Sequence, residues 1–137
     1  MRPSDLQDFG TRYAAAWSGQ QPDALAAFYA DNGVLQVNDG KPSVGRDAVR
    51  ATIASFMEAF PDMHVRLDSL VPKGDTVQFH WTWTGTNTGP GGTGKAVHMV
   101  GYEAWTFASD GKIAQSLGHY DDAEYQRQLK DGVPPGR

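Results

Sequence analysis

The chain of 137 residues carries 12 Lys+Arg against 16 Asp+Glu, a formal net charge of −4, with 39% hydrophobic and 11% aromatic residues and no cysteine. That length suits one domain with a real core, and mild acidity without a basic run sets aside a nucleic-acid or polybasic membrane surface. Disulfides, cysteine-ligated zinc and thiol nucleophiles are excluded outright.

The opening MRPSDLQDFG has no apolar stretch of signal-peptide kind, and no run of about 18 apolar residues occurs anywhere. The expectation is a soluble, cytoplasmic single domain over residues 1–137, ordered from about 4 to 130 with a frayed tail at 131–137. Ser4 can cap a first helix whose apolar positions Leu6, Phe9, Tyr13, Ala16 and Trp17 recur at three- and four-residue steps, closed by Gly19. Pro22 opens a short second helix through Leu25, Ala26, Phe28 and Tyr29. Asp31-Asn32-Gly33 reads as a turn before a brief strand at Val34, Leu35 and Val37, and residues 38–43 as a loop. From Gly45 a third helix carries Val49, Ile53, Phe56, Met57 and Phe60, and Pro61 ends it.

The period then changes to two. Met63, Val65, Leu67, Ser69 and Val71 alternate with polar residues, Pro72-Lys73-Gly74-Asp75 turns the chain, and Val77, Phe79, Trp81 and Trp83 form the next inward row. Residues 85–94, rich in Gly and Thr, read as a loop before a long strand from Val97 to Phe107. Ser109-Asp110-Gly111 makes a hairpin turn into a last strand from Ile113 to Tyr120, and Asp122 to Leu129 can add a terminal helical turn or two. Three helices followed by a four-stranded antiparallel meander predict an α+β fold.

No nucleotide loop, nucleophile elbow or metalloprotease motif is present, and the four histidines are scattered singly. Strand parity supplies the chemistry instead. Val97, Met99, Gly101, Glu103, Trp105 and Phe107 share a row that is apolar except for Glu103, and a buried carboxylate is costly unless it is paired or neutralised. On the last strand Ile113, Gln115, Leu117, His119 and Asp121 share a row. If both rows face inward, Glu103, His119 and Asp121 converge in an apolar cavity suited to acid/base work. The plainer alternatives are that Asp121, with Asp122, caps the terminal helix, that His119 is a satisfied core histidine, and that Glu103 forms an interface salt bridge.

Several stretches carry a family resemblance: Phe56 to Val65, Gly74 to Val77, Trp81 to Gly89, Gly101 to Phe107, Asp110 to Ile113, and Asp121 with Arg127-Gln128-Leu129. In these the chain resembles the SnoaL-like polyketide cyclases of the nuclear transport factor 2-like, ketosteroid-isomerase-like superfamily. The resemblance implies a cone-shaped curled antiparallel sheet wrapped by three N-terminal helices, a hydrophobic pocket, a dimer, and no metal or organic cofactor. It also implies an aspartate at the end of the last strand as acid/base in an intramolecular aldol closure, here Asp121. The chain departs from the family at Leu117, where relatives often carry Trp. Steroid-isomerase-like chemistry is weakened because Tyr13 fits the tyrosine place but the base position falls near Val37. Epoxide-hydrolase-like chemistry is weakened because Val77 to Thr84 holds neither Arg nor Asp.

The leading expectation is a cofactor-independent acid/base enzyme of cyclase or isomerase type acting on a hydrophobic carbonyl compound. Asp121 is the expected acid/base, His119 its partner or an oxyanion donor, and Glu103 a second acid or orienting group. The substrate-binding wall is expected from Tyr13 and Trp17 of the first helix, Phe56, Met57 and Phe60 of the third, and Trp81, Trp83, Met99 and Trp105 of the strands. The alternatives are a non-catalytic small-molecule-binding or dimeric interaction module, or an epoxide-hydrolase-like hydrolase. The outward residues of the long strands, among them Val100, Tyr102 and Ala104, are neutral, which points to a homodimer packed sheet against sheet with His80 and His98 near the contact.

Overall fold

The computed structural model describes residues 3–133, so the last four residues of the expected tail lie outside the described part. Helix α1 (Pro3–Ser18) starts before Ser4, which places Ser4 inside the helix and not at its cap. Its apolar stripe buries Phe9, Tyr13 and Ala14 against the sheet, as the three- and four-residue spacing requires. Helix α2 (Pro22–Ala26) is shorter than its apolar pattern suggests. Phe28 lies beyond it, and Tyr29 opens strand β1 (Tyr29–Val37). Asp31-Asn32-Gly33 is therefore an irregularity within a strand, between paired Tyr29 and Val34. Gly33 is needed there, since a Cβ would lie 3.0 Å from the carbonyl oxygens of Ala30 and Ile113.

A two-residue strand β2 (Ser43–Val44) occupies part of the expected loop and leads into α3 (Arg46–Ala59). Strands β3 (His64–Lys73), β4 (Thr76–Thr86), β5 (Ala96–Phe107) and β6 (Ile113–His119) follow, and α4 (Asp122–Asp131) closes the described chain. The sheet has six strands in the order β2-β1-β6-β5-β4-β3: the four of the expected meander, the brief strand expected around Val34–Val37, which is longer as β1, and the unexpected two-residue β2. Strands β3 to β6 form the antiparallel meander, while β1 lies parallel to β6, a long-range pairing that no local pattern announces. The sheet is open and the helices pack on it around one core cluster, an α+β arrangement. Among the described residues no helix is long and apolar enough to cross a membrane.

Two bulges change which residues point inward. The first lies between Leu67 and Ser69 and brings Leu70, not Ser69 or Val71, toward the core. The second lies between Thr106 and Phe107, opposite the start of β6. Ile113 is buried, yet beyond it the inward residues are Ser116, Gly118 and half-buried Tyr120, while Gln115 and His119 are exposed. One extra residue has exchanged the two faces of the strand.

The glycine- and threonine-rich connection between β4 and β5 is tied to the end of α3. Asn87 Nδ2 and the Gly89 N–H both donate to the Ala59 carbonyl, an acceptor the helix leaves unsatisfied. The amino-terminal half of β5 extends past β6 and has no strand partner on that side. There α4 intervenes: buried Gln128 accepts from the His98 N–H through Oε1 (2.7 Å) and donates to the His98 carbonyl through Nε2 (3.1 Å). One side-chain amide thus stands in for a strand residue. Gln128→Leu should strip both backbone groups of their partner and cost about 1–3 kcal/mol. Urea unfolding, with hydrogen exchange at the His98 amide, checks it; unchanged stability and protection would mean that apolar contacts alone hold α4.

Candidate functional site

Between the inner sheet face and helices α1 and α3 lies a cavity of about 70 Å³. Trp17 and Phe56 close it from the helices, and Trp81 and Trp83 of β4 from the sheet. Leu35 and Val37 of β1, with Met63 and Val65, complete the apolar wall. Only Glu103 and the hydroxyl-bearing Tyr120 interrupt that wall with polar side chains. The lining holds no basic side chain.

Glu103 is buried at 7% exposure. Its Oε1 accepts from Tyr13 Oη (2.7 Å), Ser116 Oγ (2.7 Å) and Trp105 Nε1 (3.1 Å). Tyr13 spends its proton on that bond and in turn accepts from Tyr29 Oη at 2.8 Å. A relay therefore runs from Tyr29 through Tyr13 to the carboxylate, and Oε2 takes none of these bonds. Burial raises the Glu103 pKa above its ordinary 4.5, against the lowering effect of the three donors. Burial and the neighbouring carboxylate push Tyr13 and Tyr29 well up, so both stay neutral donors.

Two glycines shape the space. A Cβ at Gly101 would meet the Trp81 ring at 2.6 Å, so the indole can lie over β5 only because that residue is glycine. Gly118 faces Glu103 across the β5–β6 pair, and a Cβ there would sit 3.9 Å from Glu103 Cγ, within the open part of the site.

The expected convergence of Glu103, His119 and Asp121 does not occur. His119 pairs with Tyr102 and lies exposed on the outer sheet face, its ring 4.8 Å from that of Tyr102. Asp121 is exposed at the N-cap of α4, where Oδ1 accepts from the Glu124 N–H at 3.1 Å. The β6 bulge is the physical reason for both. Of the expected wall, Trp17, Phe56, Trp81 and Trp83 line the cavity. Tyr13, Met57, Phe60, Met99 and Trp105 are buried in the core behind it. Ser116 and Tyr120 lie on the other row of the last strand, which simple alternation turns outward when Ile113 faces in. Tyr29 opens β1 although its apolar spacing with Leu25, Ala26 and Phe28 fits a helix. Among the described residues no three His, Asp or Glu side chains group as metal ligands.

The SnoaL-like domain family matches residues 11–116. No curated protein matches the sequence. Among solved structures, a protein assigned as a SnoaL-like polyketide cyclase from Jannaschia sp. CCS1 superposes with a TM-score of 0.80 at 19% identity, over 98% of each chain. A protein of ketosteroid-isomerase-like fold from Catenulispora acidiphila DSM 44928, solved in complex with trimethylamine, gives 0.76 at 20% identity, over 98% of this chain and 100% of that one. SalBIII, an epoxide hydrolase/cyclase-like enzyme in pyran ring formation of salinomycin, gives 0.76 at 16% identity, over 90% and 97%. These likenesses establish the shared fold.

The raised Glu103 pKa has a consequence for stability. Below 4.5 both folded and unfolded chains hold the proton; above it the unfolded chain ionises freely while the buried group ionises at a cost. The wild type should therefore lose stability relative to Glu103→Gln as pH rises from 4.5 to the folded-state value. Ser116→Ala, which removes a donor, should carry that loss to higher pH. Urea unfolding at a series of pH values measures both effects, and a flat difference would contradict them.

Proposed function

The chain belongs to the SnoaL-like domain family, and we propose that its cavity is a cofactor-independent acid/base site for a small hydrophobic carbonyl compound, with Glu103 moving the proton. One observation carries the reading. The carboxyl group at the foot of an apolar cavity has Oε1 committed to three donors, while Oε2 takes no bond among the described residues. Ionised, Oε2 takes the proton from the carbon beside the carbonyl, and the C–H electron pair becomes the enolate. The proton then returns to another carbon in an isomerisation. In an aldol closure it goes to the alkoxide formed when the enolate carbon attacks a second carbonyl of the same molecule. Tyr120 lines the cavity and its hydroxyl makes no hydrogen bond among the described residues, which suits it to donate to the carbonyl oxygen. A carboxyl group with a raised pKa serves as acid and base near neutral pH.

His119 and Asp121 take no part in this reading. The Arg-x-Asp pair of an epoxide-hydrolase-like site is missing from Val77 to Thr84, which favours carbonyl chemistry over epoxide opening. A second reading, a ligand-binding module on the same fold, draws support from the single carboxylate in the lining and from the small amine held by the Catenulispora acidiphila protein.

A homodimer through the outer sheet face belongs to the same proposal. Val100 is 64% exposed there, and the Tyr102 ring has His80 at 5.2 Å on one side and His119 at 4.8 Å on the other. The face is less neutral than its alternating residues suggest, because Arg66 and Asp68 pair at 2.8 Å and both bond to Thr82.

Exchange of ketone α-protons for deuterium, followed by NMR over a panel of hydrophobic ketones, tests the chemistry. Glu103→Gln should lower the rate by about a hundredfold or more, whereas Asp121→Asn, which keeps a capping side chain, should leave it unchanged. Full exchange by the Gln variant would remove Glu103 from the mechanism. Tyr102→Glu should yield a monomer in sedimentation at micromolar concentration; a wild type that is already monomeric would remove the dimer.

A further inference from the structure

The walls of the cavity are more specific than apolar surface alone. Trp17 and Phe56 meet at 6.3 Å and 78°, Phe56 and Trp83 at 6.0 Å and 89°. Trp83 and Trp81 meet at 6.4 Å and 70°, and Trp81 and Tyr120 at 6.3 Å and 61°. Five rings of the lining thus meet edge to face in succession, each steeply inclined to the next. The Trp83 Nε1 is buried without a hydrogen-bond partner among the described residues, and the Trp83 ring packs with its centroid 4.8 Å from that of Phe60 and 5.4 Å from that of Tyr125. With its N–H enclosed, Trp83 gives the cavity ring carbon. A ring face carries negative quadrupolar charge, and an enclosure of such faces is a favourable place for a diffuse cation.

The floor of the cavity points the same way. Glu103 is the sole acidic side chain of the lining, and no lysine, arginine or histidine joins it. Its Oε1 is saturated by three donors, which favour the ionised form against the burial that raises the pKa, and Oε2 has no cation to face among the described residues. An ionised Oε2 in such surroundings lacks a counter-charge, and a ligand can bring it.

We infer that the cavity binds small alkylated ammonium cations, held by the faces of Trp17, Phe56, Trp81, Trp83 and Tyr120 and paired with Glu103. An ionised Oε2 paired with a cation is no longer open to a carbonyl compound, so the two ligands exclude one another. The inference rests on the cavity being the ligand site and not on turnover there, so a protein without proton-exchange activity leaves it standing.

Isothermal titration with choline and with its neutral carbon isostere, in which a quaternary carbon replaces the nitrogen, separates charge from shape. Choline should bind about tenfold tighter or more than the isostere. Glu103→Gln should remove most of that difference while sparing the isostere. Trp17→Leu, at a half-buried wall position, should weaken choline more than the isostere. Choline does not titrate, and the titratable groups facing Glu103 are Tyr13 from α1 and Tyr29 from β1, both held neutral, with Tyr120 in the lining. Wild-type affinity for choline should therefore rise with pH as Glu103 ionises, a measurement that needs no variant. Equal affinity for choline and its isostere, no pH dependence, or no binding of choline at millimolar concentration would each overturn the inference.

Discussion

A single carboxylate oxygen joins much of this molecule. Tyr13 from α1, Trp105 from β5 and Ser116 from β6 all end on Glu103 Oε1, and Tyr29 of β1 joins through Tyr13. Each donor would be costly to bury without a partner, and so would the carboxylate. Together they set the height and rotation of α1 over the sheet, because the Tyr13 hydroxyl must reach strands β5 and β6 at once. The aromatic packing behind the network follows from that placement: Tyr13 meets Trp105 edge-to-face at 4.9 Å, and Phe79 stacks on Trp105 at 4.9 Å. The cavity is what remains in front of the network once the helix is seated.

The same arrangement divides labour between the two oxygens of one side chain. Oε1 belongs to the fold and Oε2 to whatever enters. A carboxylate held at one end by three directional bonds has little freedom to rotate, so its second oxygen is aimed before any ligand arrives, which is the kind of preorganisation that acid/base sites and cation sites alike require. The glycines on either side serve that aim, Gly101 by admitting the Trp81 ring and Gly118 by leaving open the ground opposite the carboxylate.

Much of this was legible in the residues. The alternation in β4 and β5 marks the inward rows, and Glu103 stands out there because an acid among Met99, Trp105 and Phe107 is costly to bury unless it is paired. The helical stripe through Phe9 and Tyr13 was equally plain. Parity fails where a strand gains a residue, however, and the bulge beside Phe107 moved His119 and Asp121 out of the site and Ser116 and Tyr120 in. Nothing in the local pattern marks such an insertion, since Ile113 lies on the expected side of it. Tyr29 was misplaced for a related reason: apolar Leu25, Ala26, Phe28 and Tyr29 fit a helix as well as a strand entrance, and the parallel partner that decides between them is more than eighty residues away.

The amide of Gln128 also bears on how the protein avoids its own copies. A strand that projects beyond its neighbour presents open N–H and C=O groups in a row, and such a row will accept any extended chain that reaches it. At β5 the opening is screened by a helix that covers it by way of one side chain. The screen, α4, follows β5 in the chain, so during synthesis the edge exists before its cover does. Until α4 docks, that half of β5 keeps one side open, so the docking of α4 closes an edge as well as adding to the finished fold.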